Sequence, residues 1–319
     1  MKYCFIINPA SGKPETKADL EYKINAAARE KELDVTVLYT RKSNDASELI
    51  THFAKANVGE DIRFYACGGD GTLCEAVNGV MAITDRTRIS LGVVPVGTGN
   101  DFVRSFENKE FFCDISAQLD AEETVVDLMS CNDLYSVNMI NVGFDCQVVV
   151  KTDVYKRKRF IPSKLAYICG LIVTLIKKPG VKMTLTADGE EKSEREFLLT
   201  TFAKGNFCGG GFNSNPDASL NDGKINALLV KNISRSRFLG LVGSYKSGTH
   251  ITEKNKKILC SEKASEYVLD FGKETNVCID GEIRSVDKIR ICCIPNALKI
   301  LVPAGSAYAR TSKKETVSV

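Results

Sequence analysis

The chain has 319 residues, 44% hydrophobic and 26% charged, which suits a sizeable core and a length typical of two domains. Its 43 basic and 40 acidic residues leave a formal net charge of +3, too balanced for a general nucleic-acid binder. Twelve cysteines and two histidines contain no C-x-x-C pair, which argues against a zinc site and for buried free thiols.

In chain order, KYCFIIN reads as an apolar strand, too short for the apolar region of a signal peptide. A reducing, cytoplasmic setting is expected. ETKADLEYKINAAAREK is a helix with Leu20, Ile24, Ala27 and Ala28 on one face, and DVTVLYT is a strand. Ser43 or Asn44 caps a second helix carrying Ala46, Leu49, Ile50 and Phe53. IRFYAC is a strand, LCEAVNGVM a helix, ISLGVVPV a strand, and Asp101 to Phe106 a short helix. Strands separated by helices need crossovers, so this half is expected to be α/β, Rossmann-like, with a mostly parallel sheet.

After Val125 the texture changes. TVVDLM, LYSVNMINVGF, VKMTLTAD, EREFLLTTFAK, KINALLVKN, EYVLDFG, TNVCIDGEIR, KIRICCIP and LKILVP are short and strand-like, several parted by Gly, Asn or Asp turns. The expectation is an α/β N-terminal domain over 1–125 and a β-rich C-terminal domain over 126–310. The second would be an antiparallel sandwich or barrel with a helical insert at about 162–178 and a helix from about Arg235 to Ser247. The last strand, about 297–303, is read as able to return to the first domain, and 311–319 as a flexible tail. The longest apolar run, Leu165 to Ile176, is shorter than the roughly 20 residues that span a bilayer.

Three strand-to-loop corners share a chemistry: NPASGK (Asn8 to Lys13), GGDGT (Gly68 to Thr72) and VGTGND (Val96 to Asp101). Glycine lets backbone N–H groups approach a ligand, and a following helix adds unpaired N–H groups and the positive end of its dipole. At one edge of a parallel sheet, three such corners make a polyanion cradle, with Thr72, Thr98 and Lys13 as further donors. None is a Walker A loop or a complete G-x-G-x-x-G. Asp70 would repel phosphate unless it meets a divalent cation or takes a proton from an attacking hydroxyl; the plain alternative is a turn residue.

GGDGTLCEAVNGV followed by LGVVPVGTGNDFVRSF resembles the catalytic domain of the diacylglycerol kinase-type lipid kinases, most of all the soluble bacterial branch. NPASGK, GGGFNSNPDASLNDGKIN and CIDGE extend the resemblance over about residues 3–305. NAD kinases share the GGDGT corner but lack the G-T-G-N-D-F continuation. The resemblance implies two domains with ATP between them. It places ATP on Asn8, Pro9, Ala10, Ser11, Gly12, Thr40, Gly68, Gly69, Asp70, Gly71, Thr72, Glu75 and Thr98. It implies a structural Mg2+ on Asp217, the Leu220 carbonyl and Asp222, where the residues alone allow an ordinary turn. It points to Asp280 and Glu282 as catalytic carboxylates, with Asp70 as a further candidate; Asp-Gly also suits a hairpin turn. Asp70, Asp101 and Asp127 would form a supporting carboxylate network.

The implied reaction is ATP-dependent phosphorylation of a lipid hydroxyl, diacylglycerol to phosphatidic acid. A sphingoid or other lipid acceptor, an NAD kinase-like enzyme and a nucleotide-binding protein without turnover are the alternatives. Lys151, Lys156, Arg157, Lys158, Arg159, Lys164, Lys177 and Lys178 surround the apolar stretch, which suits docking on an anionic membrane as well as it suits a solvated basic face. A lipid substrate, a peripheral membrane surface and a homodimer are the partners considered, and nucleic acid is not. Asp270-Phe271-Gly272 lacks the other protein-kinase motifs and is read as chance.

Overall fold

The computed structural model describes residues 1–12, 14–156 and 180–308. Lys13, the helical insert expected at 162–178, most of the basic stretch and the C-terminal tail lie outside the described residues.

The first part alternates as its periodicity suggests. β1 (Lys2–Ile7), β2 (Val35–Tyr39), β3 (Ile62–Gly68) and β4 (Ile89–Pro95) are separated by α1 (Pro14–Glu30), α2 (Asp45–Ala56) and α3 (Asp70–Met81). The β1–β2, β1–β3 and β3–β4 pairings are parallel. β1, β3 and β4 bury almost every side chain, as strands covered on both faces must. One face packs Phe64, Leu91 and Val93 against Leu73, Val77 and Ile50 of the helices, and the other packs Phe5 and Tyr65 against Leu20 and Ile24. Phe102–Ser105 is a 3-10 turn where a short helix was expected, and it leads through β5 (Phe106–Glu107) to the short α4 (Ile115–Leu119).

The second part is β-rich. β6 (Glu122–Cys131), β7 (Leu134–Ser136) and β8 (Met139–Gly143) precede α5 (Phe144–Lys156). After the segment outside the described residues come β9 (Val181–Ala187), β10 (Glu190–Ala203), β11 (Ile225–Lys231), α6 (Arg235–Ser247), β12 (Leu259–Ala264), β13 (Glu266–Ile279), β14 (Glu282–Val302) and β15 (Ala307–Tyr308). α6 is capped by Ser234, whose hydroxyl accepts the Arg237 N–H, and ends on Gly248 at φ 76°.

Two expectations need correction. EYVLDFG and TNVCID are one strand, β13, with an irregularity between Asp270 and Thr275; Asp270-Phe271-Gly272 sits in that bulge. KIRICCIP and LKILVP are likewise one strand, β14, irregular between Ile294 and Leu298, where Asn296 has φ 53°. A bulge looks like a turn in sequence because both interrupt the alternation with Gly, Asn or Asp.

The parallel strands are also not a sheet of their own. A single mixed sheet runs β12-β11-β10-β8-β13-β14-β4-β3-β1-β2, and apart from the four parallel pairings its ladders are antiparallel. β14 makes the join: its start pairs with β13, its end meets β4 in parallel at Ile300 and Leu91, and β6 runs beside both stretches. Within the parallel part the order β2-β1-β3-β4 reverses direction between β1 and β3. That switch point opens a crevice at the carboxyl ends of those strands.

Candidate active site

All three glycine corners sit at that crevice and touch one another. Asn8, just past β1, donates its N–H to the Cys67 carbonyl (2.9 Å) and its Nδ2 to Thr72 Oγ1 (2.9 Å), fastening the first corner to the second. The Val96 and Gly97 N–H groups both donate to the Gly68 carbonyl (3.0 and 3.2 Å), fastening the third to the second. A Cβ on Gly97 would stand 2.5 Å from Gly69 Cα, and one on Gly12, at φ 73°, would stand 2.8 Å from the Val96 carbonyl oxygen. Both glycines are therefore required by contact, and Gly12 by its conformation as well.

Asp70 opens α3 but does not cap it. Its Oδ1 accepts the Asp101 N–H (2.7 Å) and its Oδ2 the Asn100 N–H (2.8 Å), so the carboxylate faces the third corner. The cap residue Gly69 is extended and supplies no side-chain bond, which leaves the first N–H groups of α3 without a side-chain acceptor. The carboxylate thus organises the loop of the third corner. Thr98 is exposed beside it. Thr40 is buried and bonds back to Ile7, while Glu75 accepts the Ala46 N–H (3.2 Å) at the start of α2. Pro9, Ala10, Ser11 and Gly12 form the turn after β1, which Asn8 Oδ1 closes by accepting the Ala10 N–H (2.9 Å).

Asp101 is buried and accepts the Gly210 N–H at 2.9 Å. Burial, and then the charge of Asp70, pushes its carboxyl up to about 6. Arg104 pairs with Asp101 (3.4 Å) and donates to the Gly99 carbonyl, a bridging role its sequence position did not announce. Asp127 is not part of this group and turns instead to Lys204, Gly223 and Asn296.

The β13–β14 turn brings Asp280 and Glu282 to α3. Asp280, at φ 45°, has both oxygens occupied: Ser136 Oγ and the N–H groups of Val137, Asn138 and Met139 donate to it at 2.7–3.2 Å. Burial still raises its carboxyl to about 6. An acceptor this fully engaged holds the β7–β8 connection against the turn and has little left to offer a substrate. Glu282 is only partly buried and faces α3: a Cβ on Gly71 would lie 3.7 Å from Glu282 Oε1. The thiol of Cys74, one turn along α3, is pushed up by burial and then by Asp280, Glu282 and Glu75, which places these carboxylates around one helix end.

The loop expected to hold magnesium is organised differently. The Leu220 carbonyl accepts the Asp127 N–H (2.7 Å). Asp222 accepts Lys204 Nζ on one oxygen (3.0 Å) and Lys263 Nζ on the other (2.6 Å). These ammonium bonds hold its carboxyl below the usual carboxylate range, against the opposing effect of burial. Among the described residues no group of three or more Asp, Glu, His or Cys could hold a metal ion. With the Leu220 carbonyl and both Asp222 oxygens already engaged by donors of the chain, this arrangement does not suit a divalent ion held by Asp217, Leu220 and Asp222.

A cavity of about 140 Å³ lies between α5 and α6, walled by Phe144, Val148, Val149, Phe212, Phe238 and Val242. Two polar features reach it. Asn141 Oδ1 is buried without a hydrogen-bond partner, and Asp145 accepts the Tyr245 hydroxyl at 2.7 Å. Gly209 lines the cavity, and its neighbour Gly210 is the donor to Asp101. The apolar chamber and the Asp70–Asp101 corner are thus one loop residue apart.

Comparison with known proteins agrees with this layout. The diacylglycerol kinase catalytic domain model matches residues 2–131, and the YegS C-terminal NAD kinase beta sandwich-like domain model matches 138–302. A Bacillus subtilis protein named diacylglycerol kinase is 27% identical over 283 residues, covering 87% of this chain and 88% of its own. A Staphylococcus epidermidis protein with a lipid kinase name is 30% identical over 240 residues, covering 74% of this chain and 75% of its own. The crystal structure of a Bacillus anthracis diacylglycerol kinase superposes with a TM-score of 0.69 at 20% identity, over 95% of this chain and 97% of that one, a likeness of fold.

Proposed function

Because the chain belongs to the diacylglycerol kinase-type lipid kinase family, we propose that it transfers the γ-phosphoryl group of ATP to the hydroxyl of diacylglycerol, giving phosphatidic acid. One observation carries the reading. Three touching glycine corners meet at the switch point of the sheet, with Glu282 opposite and an apolar cavity one residue away. The Gly12 N–H, the N–H groups of Gly69 to Thr72 at the start of α3 and the Thr98 hydroxyl hold the polyphosphate. Thr40 and Glu75 lie toward the nucleoside end. Glu282 takes the proton from the acceptor hydroxyl as its oxygen attacks the γ-phosphorus and the bond to the β-bridging oxygen breaks, releasing ADP. Asp70 and Asp280 position the loops that present these groups. A divalent ion arriving with ATP would screen the phosphate charge.

The lipid side of the proposal is supported by the cavity, whose walls suit an acyl chain and whose orphan Asn141 oxygen suits a hydroxyl or other donor. Membrane contact is proposed for the basic and apolar stretch to 178, whose larger part lies outside the described residues. Among the described residues no helix is long and apolar enough to cross a membrane. The test offers labelled ATP with diacylglycerol, a sphingoid base or NAD in mixed micelles. Label in phosphatidic acid is expected. Label in another acceptor would reassign the substrate, and label in none would overturn the kinase reading.

A further inference from the structure

Lys204 directly follows β10, whose last stretch FLLTTFA is buried, and its side chain is fully buried. An ammonium has three protons to donate, and here each has an acceptor: Asp127 Oδ2 at 2.8 Å, Asp222 Oδ1 at 3.0 Å and the Lys224 carbonyl at 2.7 Å. Two carboxylates and a main-chain carbonyl are the kinds of oxygen a hard cation collects, and here the first carboxylate comes from β6 and the other two oxygens from the 217–224 loop. Around this centre the chain is closed. Asp127 Oδ2 also accepts the Gly223 N–H (2.8 Å), its Oδ1 accepts the Asn296 N–H (2.9 Å), and its own N–H bonds to Leu220. β6, β10, β14 and the 217–224 loop are thereby pinned at one point.

We propose that Lys204 Nζ does here what a structural divalent cation would do, so that the 217–224 loop closes on a covalently attached charge and needs no metal. The point concerns the folded loop rather than turnover, so it stands or falls separately from the kinase reading. The test is thermal unfolding of nucleotide-free protein in EDTA and in millimolar MgCl2 at matched ionic strength. The wild type is expected to unfold at the same temperature in both. Lys204→Ala leaves the buried Asp127 carboxylate without its cation, so in EDTA it is expected to unfold more than about 5 °C lower. Mg2+ is expected to return part of that loss in Lys204→Ala and to add nothing to the wild type. A saturable rise of the wild-type midpoint with Mg2+, abolished in Asp222→Asn, would overturn the proposal. So would a Lys204→Ala protein as stable in EDTA as the wild type. If Lys204→Ala does not fold, the wild-type and Asp222→Asn comparison still decides.

Discussion

Glu282 and Asp280 stand two residues apart on one turn, and the structure divides their work. Asp280 accepts four hydrogen bonds from the β7–β8 connection, while Glu282 faces the start of α3. Glu282→Gln keeps the size and removes the proposed base, so kcat should fall by roughly 10²–10⁴-fold while ATP affinity stays within about threefold. Steady-state kinetics with a separate nucleotide titration checks it, and equal losses in both would refute a proton role. Asp145 offers a second test, of pH dependence. Burial raises its carboxyl from 3.8 to about 6. A raised carboxyl is ionised in the folded protein only above that value, so its desolvation cost is present at pH 8 and disappears toward pH 4. Asp145→Asn keeps an acceptor for Tyr245 and should be more stable than wild type at pH 8 by about 1–3 kcal/mol. That gain should shrink as pH falls through 6. Urea melts at pH 8, 7, 6 and 5 would show it, and a gain independent of pH would contradict the burial argument.

At the level of elements, the alternating first part was readable because each strand is an apolar run and each helix has a 3.6-residue stripe. The glycine corners were readable because they follow directly on those strands. The breaks in β13 and β14 were not, since Gly272 and Asn296 look like turn residues whether they end a strand or bulge it. β12, LCSEKA, carries too little alternation to be seen and is held by its ladder to β11. Lys204 was missed for a plainer reason. A lysine closing an apolar strand reads as its solvated end, and only the fold brings Asp127 and Asp222 to it from 77 and 18 residues away in sequence. The same limit hid the Asp280 cradle, whose donors lie some 140 residues earlier. Sequence supplies the carboxylates, but which of them are saturated by the chain is a property of tertiary pairing.

Across the whole molecule, the mixed sheet explains how two unlike parts make one site. β14 leaves the Glu282 turn inside the antiparallel ladders and ends beside β4, whose loop carries Gly97. The acid on one part and the corners on the other are therefore tied through a single strand. The cradle itself is drawn from three separate βα connections, and its central claim is that main-chain N–H groups at touching glycines bind a polyphosphate. The most direct measurement is calorimetric titration of ATP and of adenosine into the wild type and into Gly97→Val, with circular dichroism confirming that the variant folds. A Cβ added at Gly97 would stand 2.5 Å from Gly69 Cα, prising the second and third corners apart. The account predicts that the wild type prefers ATP to adenosine by at least about 100-fold, roughly 3 kcal/mol, and that this preference collapses in Gly97→Val. Equal wild-type affinity for ATP and adenosine, or undiminished ATP preference in a folded Gly97→Val, would contradict it.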